Sequence, residues 1–537
     1  GIVGADGNIL ASEDSGGTWT QQNGIIDTDT TWSASGSPYV VTGSVLVSEG
    51  VKLTVEAGVE VKFSSATSLQ VFGELVAQGT SSSGITFTST QESKAAGDWG
   101  QIMFYDSSVD ATFGGNGDYA SGSILEYCTV EYGSGLLLSK GNPFINQSTI
   151  RYHSGSGIRT SSYDPNNSTA VLKITNNTIS NNINTDSGGG GVQLSWYGQE
   201  AVIISGNTIS NNIGEEGGGI NADGSKAIIS GNTIENNKAA NYVDWANEFR
   251  IQGSGGGIKS SDDETQILNN IIRGNQAANG GGIRGKAQII GNTIIGNTGG
   301  GYLVTDARYG GMDFKDNYVL DNEGAWAVGF GSSAGEITGN IIAGNDNALN
   351  VGNEGHVTIS NNLIFNNTAN TADSADAYRA VVYLSGRPPD NSNFTVGLDV
   401  KNNTIVGNVG EVSVGGSVAD TSASVLFNNN NIYDNVIYDN VGTLTTRNQL
   451  GVDDFNAENN YWGTSDASAI ASKVTDWNDD SSLNFVDYTP HQTAIITSNP
   501  IAPPSGVSGQ AGPTTMQLSW TANSESDIAG YKVYYDT

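Results

Sequence analysis

The chain has 537 residues and carries 22 basic against 55 acidic side chains, a net charge of −33. A surface this acidic repels phosphate backbones and anionic membranes, which sets nucleic acid aside as a partner. It leaves Ca²⁺, a hard cation that takes oxygen ligands, neutral or cationic glycans, or no ligand at all if the acidity serves only solubility in salty surroundings.

Only 14% of residues are charged while glycine supplies 73, and the regular return of Ile and Val marks a folded, turn-rich β protein rather than disorder. No apolar run approaches the ~20 residues that span a bilayer. The lone cysteine, Cys128, lies in the apolar run 124–130, where a buried, inert thiol is expected because reactivity needs a polarised setting. No signal peptide is recognisable and the first residue is Gly1; a cleaved leader and a longer parent protein would each account for this.

In chain order, Ser12, Asp14, Gly16, Thr18 and Trp19 fill every specified position of the pattern S-x-D-x-G-x-T-W. This resembles the Asp-box hairpin turn of sialidase-like and photosystem-assembly-type β-propellers. The resemblance implies a structural role, with the Asp bound to its own loop and the Trp packed inward. With one copy only, residues 1–24 are expected to be an Asp-box hairpin, the remnant of a propeller-like region.

Residues 37–63 alternate apolar and polar side chains with glycine about every eight residues, a strand-turn-strand pattern. They resemble the opening coils of bacterial β-helix surface proteins, and Asp98–Phe104 and Ser123–Tyr132 continue the likeness. From about residue 145 the repeat is explicit, as in Asn176-Asn-Thr-Ile-Ser-Asn-Asn182 and Gly206-Asn-Thr-Ile-Ser-Asn-Asn212. The second residue of successive copies falls at 177, 207, 232, 270, 292, 317, 340, 362, 403 and 430. The base step is 22 to 25 residues, and the steps 232 to 270 and 362 to 403 carry insertions. That period suits a β-helix coil, whereas propeller blades run longer and leucine-rich repeats need a Leu pattern that is absent. The fourth residue, usually Ile, is expected to stack in the core. The flanking Asn residues are expected to tolerate left-handed turns and to form amide ladders between coils. A second element, Gly-Gly-Gly-Ile at 217–220, 255–258 and 280–283, predicts tight corners and resembles autotransporter-type adhesin passengers.

Glu458-Asn-Asn-Tyr-Trp462 and the residues that follow resemble the terminal coil and cap of bacterial β-helix proteins, with Trp462 covering the core. Residues 496–537, through Met516–Trp520 and Ile528–Tyr535, resemble the first strands of a fibronectin type III domain with Trp520 and Tyr531 at core positions. The chain is therefore expected to be all-β: a right-handed parallel β-helix (solenoid) of the pectate-lyase-like superfamily over residues 25–495, with a partial, fibronectin type III-like β-sandwich after it.

Resemblance to that superfamily implies that lyase, hydrolase or epimerase chemistry must be weighed. A lyase needs a Lys or Arg base beside acidic groups or Ca²⁺, and a hydrolase needs paired carboxylates. The residue after the Gly-rich corner defines one outward ladder, Arg159, Gln193, Asn221, Lys259 and Arg284. On it Lys259 and Arg284 are neighbours, with Asp262, Asp263 and Glu264 just beyond. The plain alternative is a solvated face whose cations are neutralised by nearby acids. Asp306, Arg308, Asp313 and Lys315 form a second mixed cluster. His153, His356 and His491 show no zinc-ligand spacing, and no nucleophile-elbow, P-loop or dinucleotide fingerprint occurs in its required context.

The insertions carry aromatic and basic residues: Tyr242, Trp245 and Phe249 in 238–254, then Tyr378, Arg379, Tyr383 and Arg387 in 368–400. Loops on a rigid scaffold often bind, and aromatic faces suit sugar rings, although such rings can also fold back over their own loop. The expected function is an extracellular structural or adhesive module of a large cell-surface protein (adhesin, sheath or filament subunit), with glycans or neighbouring copies as partners and either no cofactor or Ca²⁺. The binding residues would be Tyr242, Trp245, Lys259, Arg284, Tyr378 and Arg379. One alternative is a polysaccharide lyase or epimerase acting on acidic glycans through the Lys259/Arg284 face. Another is a carbohydrate-binding module that uses the aromatic insertions.

Overall fold

A computed structural model of the chain describes residues 2–3, 9–12, 18–161, 171–186, 188–195, 201–243, 248–302, 312–331, 334–353, 356–369, 380–386, 397–415, 424–436, 444–447, 454–523, 528–531 and 533. It divides into two compact units, residues 1–307 with 322–325, and residues 308–321 with 326–537.

The first unit opens on an antiparallel hairpin, Ile9–Ser12 against Thr18–Ile26, with Ser12 opposite Thr18 and Leu10 opposite Thr20. The turn itself, with Asp14 and Gly16, lies outside the described residues. From Thr20 onward the second hairpin strand runs parallel to Tyr39–Val47, so one strand serves both hairpin and solenoid. The coils that follow pair in parallel, each strand on its equivalent one coil away. Thr178–Ser180, Thr208–Ser210, Thr233–Glu235, Ile271–Arg273 and Thr293–Ile295 form one such stack. Val171–Thr175, Ala201–Ser205, Ala227–Ser230 and the end of Ile258–Leu268 form another. This is a right-handed parallel β-helix, the hand that strand twist imposes on parallel connections.

The repeated motif divides its labour by position. Its fourth residue is the core: Ile179, Ile209, Ile234, Ile272 and Ile294 meet in register and are fully buried. The first and sixth residues take the left-handed conformation, as at Asn176 (φ 56°), Gly206 (φ 66°), Asn181 (φ 57°) and Gly274 (φ 62°), which is why Asn, Asp and Gly interchange there. The second and seventh residues turn inward and form two ladders of buried amides. Asn177 Nδ2 donates to Asn207 Oδ1 at 3.0 Å, Asn207 to Asn232 at 2.9 Å, Asn232 to Asn270 at 2.9 Å and Asn270 to Asn292 at 3.0 Å. Asn182, Asn212, Asn237, Asn275, Asn297 and Asn322 repeat the arrangement at 2.9–3.0 Å. Each ladder amide also donates to a carbonyl of the preceding coil, as Asn237 Nδ2 does to Ile209 O at 2.9 Å.

The second unit shows the same plan. Asn340, Asn362, Asn403, Asn430 and Asn460 form one ladder at 2.9–3.0 Å, and Asn345, Asn367, Asn408 and Asn435 the other. At its end Trp462 is fully buried, the short helix Ala467–Ala471 buries Ile470, and Lys473 Nζ donates to Trp462 O at 2.7 Å. The chain then runs back along the outside of the coils. Gln492 N donates to Asn460 O (3.0 Å), Ile496 N to Asn431 Oδ1 (2.9 Å), and Thr404 Oγ1 to Pro500 O (2.5 Å). Ala502 finally packs on Leu363 and Val406. Beyond it, Ser505–Ala511 and Met516–Thr521 form an antiparallel hairpin, and the rings of Trp520 and Tyr531 meet edge-on at 5.2 Å.

Candidate functional site

The ladder expected after the Gly-rich corners is present in register: Arg159 pairs with Gln193, Gln193 with Asn221, Asn221 with Lys259, and Lys259 with Arg284. It is less solvated than a plain outward face. Arg159 is exposed, but Gln193 and Asn221 are only 9% and 5% exposed. The Gly-rich corner causes this by letting backbone close over them: a Cβ on Gly189 would sit 3.1 Å from Asn221 and 2.5 Å from Val192 O. Gln193 Oε1 accepts from the Gly189 N–H, and its Nε2 donates to Leu194 O at 3.0 Å.

Lys259 lies between two carboxylates, 2.9 Å from Glu216 and 2.6 Å from Asp223. Burial works against its ammonium, but the hydrogen bonds and charges of Asp223 and Glu216 outweigh it and hold the amine above its ordinary pKa. The acids expected beside Lys259 are engaged elsewhere: Glu264 pairs with Lys226 at 2.5 Å, and Asp262 Oδ1 accepts from the Glu264 N–H at 2.9 Å. Arg284 Nη1 donates to Ser254 Oγ at 2.8 Å. Glu216 and Asp223 escaped the sequence reading because both sit on the coil before Lys259. The available signal was that Glu216 directly precedes the Gly217 corner and Asp223 follows Asn221 by two. Around Lys259 these residues line an open pocket of ≈ 240 Å³ together with Gln193, Leu194, Ser195 and Asn221.

In the first insertion, Lys238–Val243 and Glu248–Ile251 form an antiparallel hairpin with Tyr242 opposite Phe249. The side chain of Tyr242, and Trp245, Tyr378, Arg379 and Arg387 altogether, lie outside the described residues. Tyr383 turns onto Trp326, with ring centroids 6.4 Å apart. An aromatic pair missed in the sequence stands on earlier coils: Tyr132 and Tyr152 stack at 5.3 Å, with Arg151 over the Tyr152 ring. Both occupy the sixth position of the repeat, as the run Tyr127-Cys-Thr-Val-Glu-Tyr132 could have signalled.

Of the second mixed cluster, Asp306 and Arg308 lie outside the described residues, while Lys315 pairs with Asp313 at 3.2 Å and Glu336 at 2.7 Å. The three histidines stand apart. His153 is buried, His356 lies 3.6 Å from Asp399, and His491 is 3.4 Å from Ser465 O. Among the described residues no three His, Cys, Asp or Glu side chains group so as to hold a metal ion, and no helix is long and apolar enough to cross a membrane.

The fold class is thus a right-handed parallel β-helix. Residues 24–159, 136 of the 537, match a family model described as a pectate-lyase like beta helix domain. No curated protein matches the chain. A solved PL6-family polysaccharide lyase from Pseudopedobacter saltans is similar at 12% identity, over 87% of this chain and 92% of that one, with a TM-score of 0.23. An overlap that low carries no argument about activity.

Proposed function

We propose that this chain is a non-catalytic, extracellular β-helix module of a large cell-surface protein, with a structural or adhesive role and a glycan-facing side. The observation that carries this reading is the clamp on Lys259. Elimination from a uronate needs a base that can accept a proton in the transition state. Here the amine is held as an ammonium by Glu216 and Asp223. Its neighbour Arg284 is engaged by Ser254, to whose Oγ its Nη1 donates at 2.8 Å. Glu216 and Asp223 both pair with that one cation, so the described residues around Lys259 present no acid and base on opposite sides of a glycosidic bond. The antiparallel hairpin at 505–521, a two-stranded sheet separate from the parallel coils, supports a multidomain surface protein.

The test is turnover on a panel of polyuronates, followed by the ultraviolet absorbance of the unsaturated product. No product is expected. Product that disappears in Lys259→Ala or Arg284→Ala would overturn the reading and place a lyase on this face.

A further inference from the structure

The Lys259 pocket contains hydrogen-bonding groups that the fold does not use. Asn221 is 5% exposed and lines the pocket. Its Oδ1 accepts from the Asp223 N–H at 3.1 Å, which fixes the orientation of the amide. Its Nδ2 has no hydrogen-bond partner among the described residues, whereas the buried ladder amides donate through theirs. Beside it, Asp223 Oδ2 holds Lys259, but the buried Asp223 Oδ1 has no hydrogen-bond partner among the described residues. A buried donor or acceptor left unmade is costly. The pocket therefore offers an unused donor and an unused acceptor, together with the ammonium of Lys259.

We propose that this pocket binds one neutral sugar residue through two adjacent hydroxyls, with Asn221 Nδ2 and Lys259 Nζ donating to them and Asp223 Oδ1 accepting from them. The assignment rests on the glycan-facing reading above and gives it a place and a ligand class. A hydroxyl both donates and accepts, so a vicinal pair satisfies all three groups at once. A metal cation is disfavoured because the Lys259 ammonium already stands between the carboxylates. A uronate is disfavoured because Glu216 and Asp223 against Lys259 leave the pocket one negative charge in a chain of net charge −33. The volume of ≈ 240 Å³ falls below the ~300 Å³ at which pockets for drug-sized ligands begin and suits a single ring. Leu194 supplies the apolar part of the lining.

The experiment titrates the full chain with the methyl glycosides of glucose, galactose and mannose and with glucuronate, read by saturation-transfer NMR. At least one neutral glycoside should bind with a dissociation constant on the order of 1 mM, and glucuronate more weakly. Asp223→Asn and Lys259→Gln should each weaken binding about tenfold, while Asp262→Asn, outside the pocket, should not. Thermal midpoints of the variants separate lost binding from lost folding. The proposal is overturned if no neutral glycoside binds up to ~50 mM, if glucuronate binds more tightly, or if folded Asp223→Asn and Lys259→Gln both bind as the parent does. Polyuronate turnover would instead sink the non-catalytic reading; absent turnover with absent sugar binding would sink this assignment alone.

Discussion

At His153 an imidazole stands where the next coils place an asparagine. Its Nδ1 accepts from the Gly133 N–H at 3.2 Å and its Nε2 meets Val130 O at 3.1 Å, two of the bonds a ladder amide makes. The backbone N–H of His153 in turn donates to Asn182 Oδ1 at 3.1 Å. This pattern needs the neutral ring protonated at Nε2. Burial lowers its pKa from 6.5 to about 4, against the opposing backbone hydrogen bonds. The unfolded chain therefore takes up the proton first as pH falls. The stabilisation is complete above the unfolded value of 6.5 and is lost as pH drops towards 4, a change of ~3 kcal/mol. His153→Asn, which can make the same bonds, should lose less thermal stability than the parent between pH 7 and pH 4.5. An equal loss in both would contradict this account. Cys128 holds the equivalent place on the other ladder, its N–H donating to Ser148 Oγ at 3.0 Å. Burial raises its thiol pKa, which fits the inert thiol expected from its apolar run.

The coil makes neighbouring asparagines unequal. Asn237 accepts from the Asn212 N–H and Nδ2, both at 3.0 Å, and donates to Asn275 Oδ1 and Ile209 O. Asn236, one residue earlier, is exposed at φ 55°. Asn237→Ala leaves buried donors and a carbonyl unpaired and should cost ~3 kcal/mol. Asn236→Gly should stay within ~1 kcal/mol of the parent, since glycine accepts the left-handed conformation. Urea-denaturation midpoints of the two variants would compare them, and equal shifts would refute the division of roles. The coil itself was legible because its seven-residue motif recurs with Ile fixed at one place. Which asparagine turns and which one bonds was not written in the letters, but the interchange of Asn, Asp and Gly at the first and sixth positions held the clue. The partners of Lys259 were hidden because the spacing between the 217, 255 and 280 corners varies, so residues 43 and 36 apart, Glu216 and Asp223, converge on one side chain.

For the molecule as a whole, charge is the quantity most easily varied. Fifty-five acids against 22 bases leave a self-repulsion that compactness increases. Raising salt from ~10 mM to ~150 mM shortens the Debye length from ~30 to ~8 Å and should raise the thermal midpoint; a fall would mean that the surface ion pairs matter more than the net charge. The same acidity was readable in the composition, as was the β-helix in its period. The outer path of residues 490–502 was not, because a segment without periodicity gives no hint of what it lies against. That path has a mechanical consequence. A pull applied beyond Ala502 reaches the stack first at Leu363, Val406 and Thr404, then at Asn431. The load therefore enters at the flank, several coils before the terminal Trp462 layer. The last coil is thereby spared from being peeled open, and tension is shared across rungs that the amide ladders already tie together.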